Sequence, residues 1–158
     1  MDKSTDFSKK DIAQITTYQS GIAQAAAHRA TNRAVSDFLL RYGITAMQWF
    51  MIGAISDSGK AGIRLSDLTR RLDTTLPYVT NTINLLESKG MVQKVSHTGD
   101  SRIKLVSITP HYLPTIHEIE DELRDHLRVV LYDTDHISRE ELQTYISVLY
   151  KLAGSNQK

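Results

Sequence analysis

The feature that most constrains this chain is the order of patterns between Arg64 and Thr109. Two short amphipathic helical runs are followed by a glycine stop, then by two β-type runs around a polar turn. The second helical run, Leu76 to Lys89, places Leu76, Val79, Ile83 and Leu86 on one stripe of an α-helix. Thr74 and Thr75 are candidate N-caps, Pro77 falls in the first turn where its missing N–H costs nothing, and Gly90 is a C-terminal stop. The first run, about Ser66 to Leu72, offers Leu65, Leu68 and Leu72 for burial, and only Asp73-Thr74-Thr75 separates it from the second. A connector that short makes a helix-turn-helix, although an ordinary helical hairpin in a core fits this half equally well.

The second half decides between them. Val92-Gln93-Lys94-Val95 and Ile103 to Thr109 are rich in β-branched residues, with Val106 and Ile108 on one face. Ser96 to Ser101 between them is a polar turn, and Arg102 follows it directly. An arginine at the base of an exposed turn is suited to a minor groove, where narrow A·T-rich DNA concentrates negative potential. Asp100 is expected to hold its guanidinium by a charge-assisted pair. Taken alone, Arg102 would read as a solvated turn residue. On the outer face of the second helix, Tyr78, Asn81 and Asn84, with Thr80 beside them, are donor and acceptor side chains of a length suited to base edges or phosphates.

The spacing of helix pair, Lys-Gly stop, strand, Asp-x-Arg turn and Val-x-Ile-Thr-Pro exit resembles the bacterial MarR-type regulators. The resemblance runs from about Ile12 to Gly154. It is most specific at Asp100-Ser101-Arg102 with Val106-Ser107-Ile108-Thr109-Pro110, and at Leu86-Glu87-Ser88-Lys89-Gly90-Met91-Val92. It implies a dimeric winged-helix transcription factor, a repressor in the usual case, released from DNA by a small aromatic or phenolic ligand. It also implies DNA contacts from Ser66, Thr75, Pro77, Tyr78, Thr80, Asn81, Asn84, Lys89, Lys94, Asp100 and Arg102. The chain departs from the family pattern where members often carry arginine: it has Asn81 and Leu85 there, and Gln93 or Lys94 near a third such position. Each cation missing from the phosphate backbone lowers electrostatic affinity and its salt slope. Tyr112 stands where many members have glycine.

The expected fold class is mainly α with a small β-hairpin wing (α+β). Residues 1–158 form a single domain. Within it, 44–109 is the winged helix-turn-helix lobe, and 11–41 with 111–154 is a helical dimerisation lobe. Asp11 to about Arg41 reads as an Ala-rich helix with an incomplete stripe of Ile12, Ile15, Ile22, Ala26, Val35, Phe38 and Leu39, which needs other helices to hold it. Thr45 and Gln48 form a capping box for a central helix containing Met47, Trp49, Phe50, Met51, Ile52 and Ile55. Trp49 and the methionines either pack as plain core or line a ligand pocket, and packing is the commoner role of such residues. Ile63-Arg64-Leu65 is a short-strand candidate. After Pro110 a long helix carries Ile116, Ile119, Leu123, Leu127 and Val130, the stripe of a helix seeking a partner. Asp133-Thr134-Asp135 breaks it, and Ser138 and Glu141 cap a last helix through Tyr145, Ile146, Leu149 and Leu152. Residues 1 to about 9 are expected to be a flexible arm, and the tail from Ser155 is expected to fray.

Composition narrows the function classes. The formal net charge is +1, which is not that of a non-specific nucleic-acid coater, but Arg64, Arg70, Arg71, Lys89, Lys94, Arg102 and Lys104 all fall within the motif. Without cysteine there is neither a disulfide framework nor a thiol redox switch. The absence of an 18-residue apolar run and of an apolar signal core leads us to expect a cytoplasmic protein without a membrane partner. Six scattered histidines show no zinc-type spacing, and no phosphate loop or nucleophile motif is present, so catalysis, cofactor and metal are not expected. The expected partners are double-stranded DNA, a second copy of the chain and a small aromatic ligand whose site the sequence does not assign. Two alternatives stay open: a winged helix that binds protein instead of DNA, and a metal-responsive regulator.

Overall fold

The computed structural model describes residues 11–97 and 99–155, so the expected N-terminal arm, Thr98 and the last three residues lie outside the described residues. The elements run α1 (Thr17–Leu39), α2 (Ala46–Asp57), β1 (Ile63–Arg64), α3 (Leu65–Arg71), α4 (Leu76–Ser88), β2 (Val92–His97), β3 (Asp100–Ile108), α5 (Leu113–Leu127) and α6 (Arg139–Ser155). Short 3₁₀ turns occupy Ile12–Gln14, Leu40–Tyr42, Gly59–Ala61 and Pro110–Tyr112, and a π-helical turn spans Arg128–Asp133. The strands form one antiparallel sheet in the order β1-β3-β2.

A single apolar core joins the lobes. It takes Val35, Phe38 and Leu39 from the end of α1, Met51, Ile52 and Ile55 from α2, Leu68 from α3, and Val79, Ile83 and Leu86 from α4. Val92 and Val106 from the sheet and Ile116, Ile119 and Leu123 from α5 complete it. α2 is its centre, as expected of a helix apolar nearly all round; Phe50 alone of its large side chains is exposed. The Thr45–Gln48 capping box forms, with the Thr45 hydroxyl accepting from the Gln48 amide at 3.1 Å. The expected short strand also forms: Ile63 pairs with Val106 and Arg64 with Leu105.

Three expectations need correction. The first helix begins at Thr17, not Asp11. Asp11 caps a separate 3₁₀ turn, Ile15 is extended, and Thr16 with Gln19 makes a capping box that sets the true start. Two reciprocal hydrogen bonds outweighed an apolar stripe with little to bury it: Ile12 and Ile22 are exposed. The stripe on α5 serves the chain's own core, since Ile116, Ile119 and Leu123 are buried within it while Val130 stays exposed. Past Leu127 the helix widens into the π turn, with Arg128 paired to Asp133 at 3.1 Å. In α4 the buried stripe is Val79, Thr82, Ile83 and Leu86, and Leu76 in the first turn is exposed.

The Ser138–Glu141 capping box of α6 forms as expected, through bonds of 2.8 and 3.1 Å. Yet Tyr145, Ile146, Val148, Leu149, Tyr150 and Leu152 of that helix are all exposed. Among the described residues no single helix is long and apolar enough to cross a membrane. Thr17–Tyr42 and Ala46–Asp57 are long and apolar enough only when taken together, and they are bent by 81°.

Two backbone and side-chain details carry testable weight. Gly62 has φ 76° and ψ 179°, a region open essentially to glycine alone, and a Cβ there would lie 2.8 Å from the Val106 carbonyl oxygen. Gly62→Ala should therefore disturb the β1–β3 pairing and cost about 2 kcal/mol or more; a thermal or urea midpoint equal to that of the parent would refute this. Tyr112 packs against the core, and burial raises its phenol above the ordinary value of 10.0. Folding thus favours the protonated phenol. That stability is fully present below pH 10 and is lost as pH rises through the raised value. Melting temperatures followed above about pH 10 should fall less steeply for Tyr112→Phe than for the parent.

Candidate nucleic-acid interface

Burial of Val79, Ile83 and Leu86 turns the opposite side of α4 outward. That face presents Pro77, Tyr78, Asn81, Asn84, Leu85 and Ser88, all exposed. It carries no lysine or arginine. Ahead of it, Asp73 takes φ 49° to close the turn between α3 and α4, its amide donating to the Arg70 carbonyl at 3.2 Å. Thr75 occupies the N-cap position with extended backbone, but its hydroxyl makes no cap bond and stays exposed. Helix N-terminal amides left in this way are donors available to a phosphate. Ser66 is exposed in the first turn of α3.

The remaining expected contacts are placed less simply. The Thr80 hydroxyl donates to the Leu76 carbonyl at 2.9 Å and is spent on its own helix. Lys89 Nζ donates to the Gly43 carbonyl at 2.9 Å. Lys94, on β2, reaches across to α4, where its Nζ donates to Asn84 Oδ1 at 2.6 Å and pairs with Glu87 at 3.2 Å. Arg70 and Arg71 pair with Asp67 and Asp57 at 2.9 and 3.1 Å. So four of the seven cations in the motif are already engaged within the chain. Among the described residues, Arg64, Arg102 and Lys104 form no ion pair, and all three are exposed.

The wing is longer than the sequence pattern suggested. The strands run into the expected turn, so Arg102 lies within β3 instead of after a six-residue loop. The register shifts between Ser96, opposite Lys104, and His97, opposite Asp100, leaving the stretch around Arg102 as a bulge in the ladder. Asp100 does not pair with the Arg102 guanidinium as expected. Its Oδ1 accepts from the Arg102 backbone amide at 2.9 Å, while His97 Nδ1 accepts from the Gly99 amide at 3.0 Å. The carboxylate thus shapes the backbone of the tip and leaves the arginine head free. At the base of the wing, Thr109 donates its hydroxyl to the Gly90 carbonyl at 2.6 Å and its amide to the Met91 carbonyl at 3.1 Å. These bonds clamp the hairpin exit to the end of α4.

The Lys94–Asn84–Glu87 cluster was not anticipated. Its sequence signal was available: Asn84 and Glu87 are one turn apart on a helix face, and a basic residue occurs on the next strand. Depressions open elsewhere on the described residues: one of about 660 Å³ between α3 and the end of α6, lined in part by Ile63, Asp67, Arg70 and Tyr150, and two smaller ones. Of these two, one, of about 360 Å³, sits between α1, the π turn and α6, lined by Ala27, Leu131, Tyr132, Ile137, Leu142 and Tyr145 among others. Burial, together with neighbouring Tyr145, raises the Tyr132 phenol above its ordinary value. The other, of about 330 Å³, is shallow and lined in part by Trp49, Phe50, Arg71 and Glu120; Trp49 is otherwise core and none of the methionines reaches it. No group of three histidine, cysteine, aspartate or glutamate side chains that would hold a metal is found among the described residues.

This architecture, a helix-turn-helix with a hairpin wing set between long helices, is a winged helix-turn-helix fold. More narrowly, residues 42–103 match the model of the MarR family. No curated protein matches the chain. Among solved structures, AbsC, a MarR family transcriptional regulator from Streptomyces coelicolor, is 18% identical with a TM-score of 0.73, covering 90% of this chain and 96% of its own. A mutant MarR from E. coli complexed with operator DNA is 22% identical with a TM-score of 0.71, covering 90% and 99%. CouR from Rhodococcus jostii, bound to p-coumaroyl-CoA, is 14% identical with a TM-score of 0.72, covering 84% and 90%. The resemblance read from the sequence is borne out by the family model over the winged-helix lobe and by the fold over most of the chain.

Proposed function

We propose that this chain is a homodimeric, sequence-specific DNA-binding transcriptional regulator of MarR type, a repressor whose hold on its operator is modulated by a small aromatic ligand. The observation that carries the reading is the pairing of two features: the exposed polar face of α4 and, beside it, a wing whose Arg102 and Lys104 are exposed and form no ion pair among the described residues. α4 enters the major groove, with Tyr78, Asn81 and Asn84 at base edges. The N-terminus of α4 at Thr75 and Pro77, with Ser66, faces the phosphate backbone. Arg102 enters the adjacent minor groove, and Lys89 and Lys94 contribute positive potential nearby. Such a regulator acts in the cytoplasm and needs neither cofactor nor metal.

The second copy is supported by α6. A helix with six large apolar side chains exposed is poorly accommodated by water, and a two-fold partner would cover it. Two recognition helices would then lie about one DNA turn apart. The depression between α1, the π turn and α6 is apolar and partly aromatic, which suits a phenolic or aryl ligand. Such a ligand acts only by favouring one spacing of the two lobes over another.

A second reading has one observation in its favour. The outer face of α4 lacks cations and exposes Tyr78 and Leu85, as a protein-docking face would. Salt separates the two, because DNA binding through several phosphates weakens steeply with ionic strength.

Fluorescence anisotropy with the duplex upstream of the chain's own gene, against a scrambled duplex, should show sequence-preferring binding that weakens with salt. Arg102→Ala should lower that affinity about tenfold while leaving the melting temperature unchanged; equal affinity of variant and parent at matched salt would remove Arg102 from the interface. In sedimentation velocity the parent should run as two copies. Leu149→Glu, placing a charge on the α6 face, should run as one, since an unpaired buried charge costs about 3–5 kcal/mol. A variant of unchanged mass would exclude this face as the interface.

A further inference from the structure

The two asparagines on the outer face of α4 are not equivalent, and the difference has a consequence for base recognition. Asn81 is exposed and makes no hydrogen bond to another side chain among the described residues. Its carboxamide is free to present both an acceptor and a donor, the pairing that suits adenine N6 and N7. Asn84 is differently placed: Lys94 Nζ lies 2.6 Å from its Oδ1. An ammonium can only donate, so the atom facing it must be the carboxamide oxygen, and the Nδ2 amino group is turned away from it. Glu87 Oε2, 3.2 Å from the same Nζ, anchors the ammonium in that place, and the Lys94 side chain is only 27% exposed.

We infer that Asn84 and Lys94 act as one donor-only reading unit that selects guanine over adenine at one position of each half-site. The unit offers the Nδ2 hydrogens and the remaining ammonium hydrogen. Guanine N7 and O6 are both acceptors in the major groove. Adenine would bring the hydrogens of its N6 amino group up beside the Lys94 ammonium, which holds one lone pair of Asn84 Oδ1, so that donor hydrogens of like partial charge would crowd one oxygen. Lys94, on the hairpin, thereby specifies a base through a side chain on the helix instead of neutralising a phosphate. Thr80, its hydroxyl spent on the Leu76 carbonyl, and cation-free α4 as a whole leave few other groups to make that choice.

This inference rests on the DNA-binding reading, and the test separates the failure of each. Duplexes with a randomised core would be selected through several rounds by the parent, by Asn84→Ala and by Lys94→Met, each checked for folding by its melting curve. Asn84 is exposed on a helix, where alanine is well tolerated. The parent should enrich guanine at a position that becomes degenerate with Asn84→Ala, with a preference over adenine of roughly tenfold. In Lys94→Met the freed carboxamide should move that same position towards adenine. Enriched sites in which Asn84→Ala loosens no position, or loosens one where the parent prefers adenine, would overturn the donor-only unit while leaving the regulator reading intact. A guanine preference unaltered in Lys94→Met would also overturn it. No enrichment by the folded parent, with salt-insensitive binding, would sink the DNA-binding reading and this assignment with it.

Discussion

The anchoring of one side of α4 in the core governs most of what this molecule can present. Val79, Ile83 and Leu86 are fully buried together with Leu68, Ile52, Ile55 and Val106, so the helix cannot rotate without exposing several large side chains. Each such side chain is worth about 1.5–3 kcal/mol of burial. The outward set from Pro77 to Ser88 is therefore fixed by the inward set. The same cluster holds β3 through Val106, so helix face and wing are positioned by one body of apolar packing instead of by separate supports.

Electrostatics are arranged differently from the way a count of basic residues implies. Seven cations fall within the motif, but ion pairs and carbonyl contacts occupy four of them within the chain. Surface pairs of this kind contribute little to stability, roughly 0–1 kcal/mol each. They do localise charge. What is left uncommitted, Arg64, Arg102 and Lys104, lies on the sheet, whereas the outer face of α4 is polar and free of cations. A surface built this way separates the residues that attract a polyanion from the residues that discriminate along it.

The fold was largely legible because its signals were local and redundant. The spacing of Val79, Ile83 and Leu86, the Thr45 and Ser138 capping boxes, and Gly90 at a left-handed stop each marked an element that formed. The start of α1 was missed because a capping box at Thr16 competes with an apolar pattern, and an exposed Ile12 looks the same in sequence as a buried one. The purpose of the α5 stripe was missed for a related reason: periodicity tells that a face is covered, not by what. At the site, residue types and helix face were readable from spacing, whereas the partners of Thr80, Lys94 and Asp100 were not. Those depend on which side chains a turn brings together, and the Asp100 carboxylate had a backbone amide nearer than the guanidinium that charge alone would select.

The wide turn at Arg128–Asp133 bears on direction as well as local shape. A π turn is an α-helix with one residue too many, each hydrogen bond skipping an extra position. Here the surplus residue falls just before the loop that launches α6, so it sets the azimuth at which the last helix departs. The apolar residues exposed on α6 are therefore aimed by a turn that contributes none of its own side chains to the core.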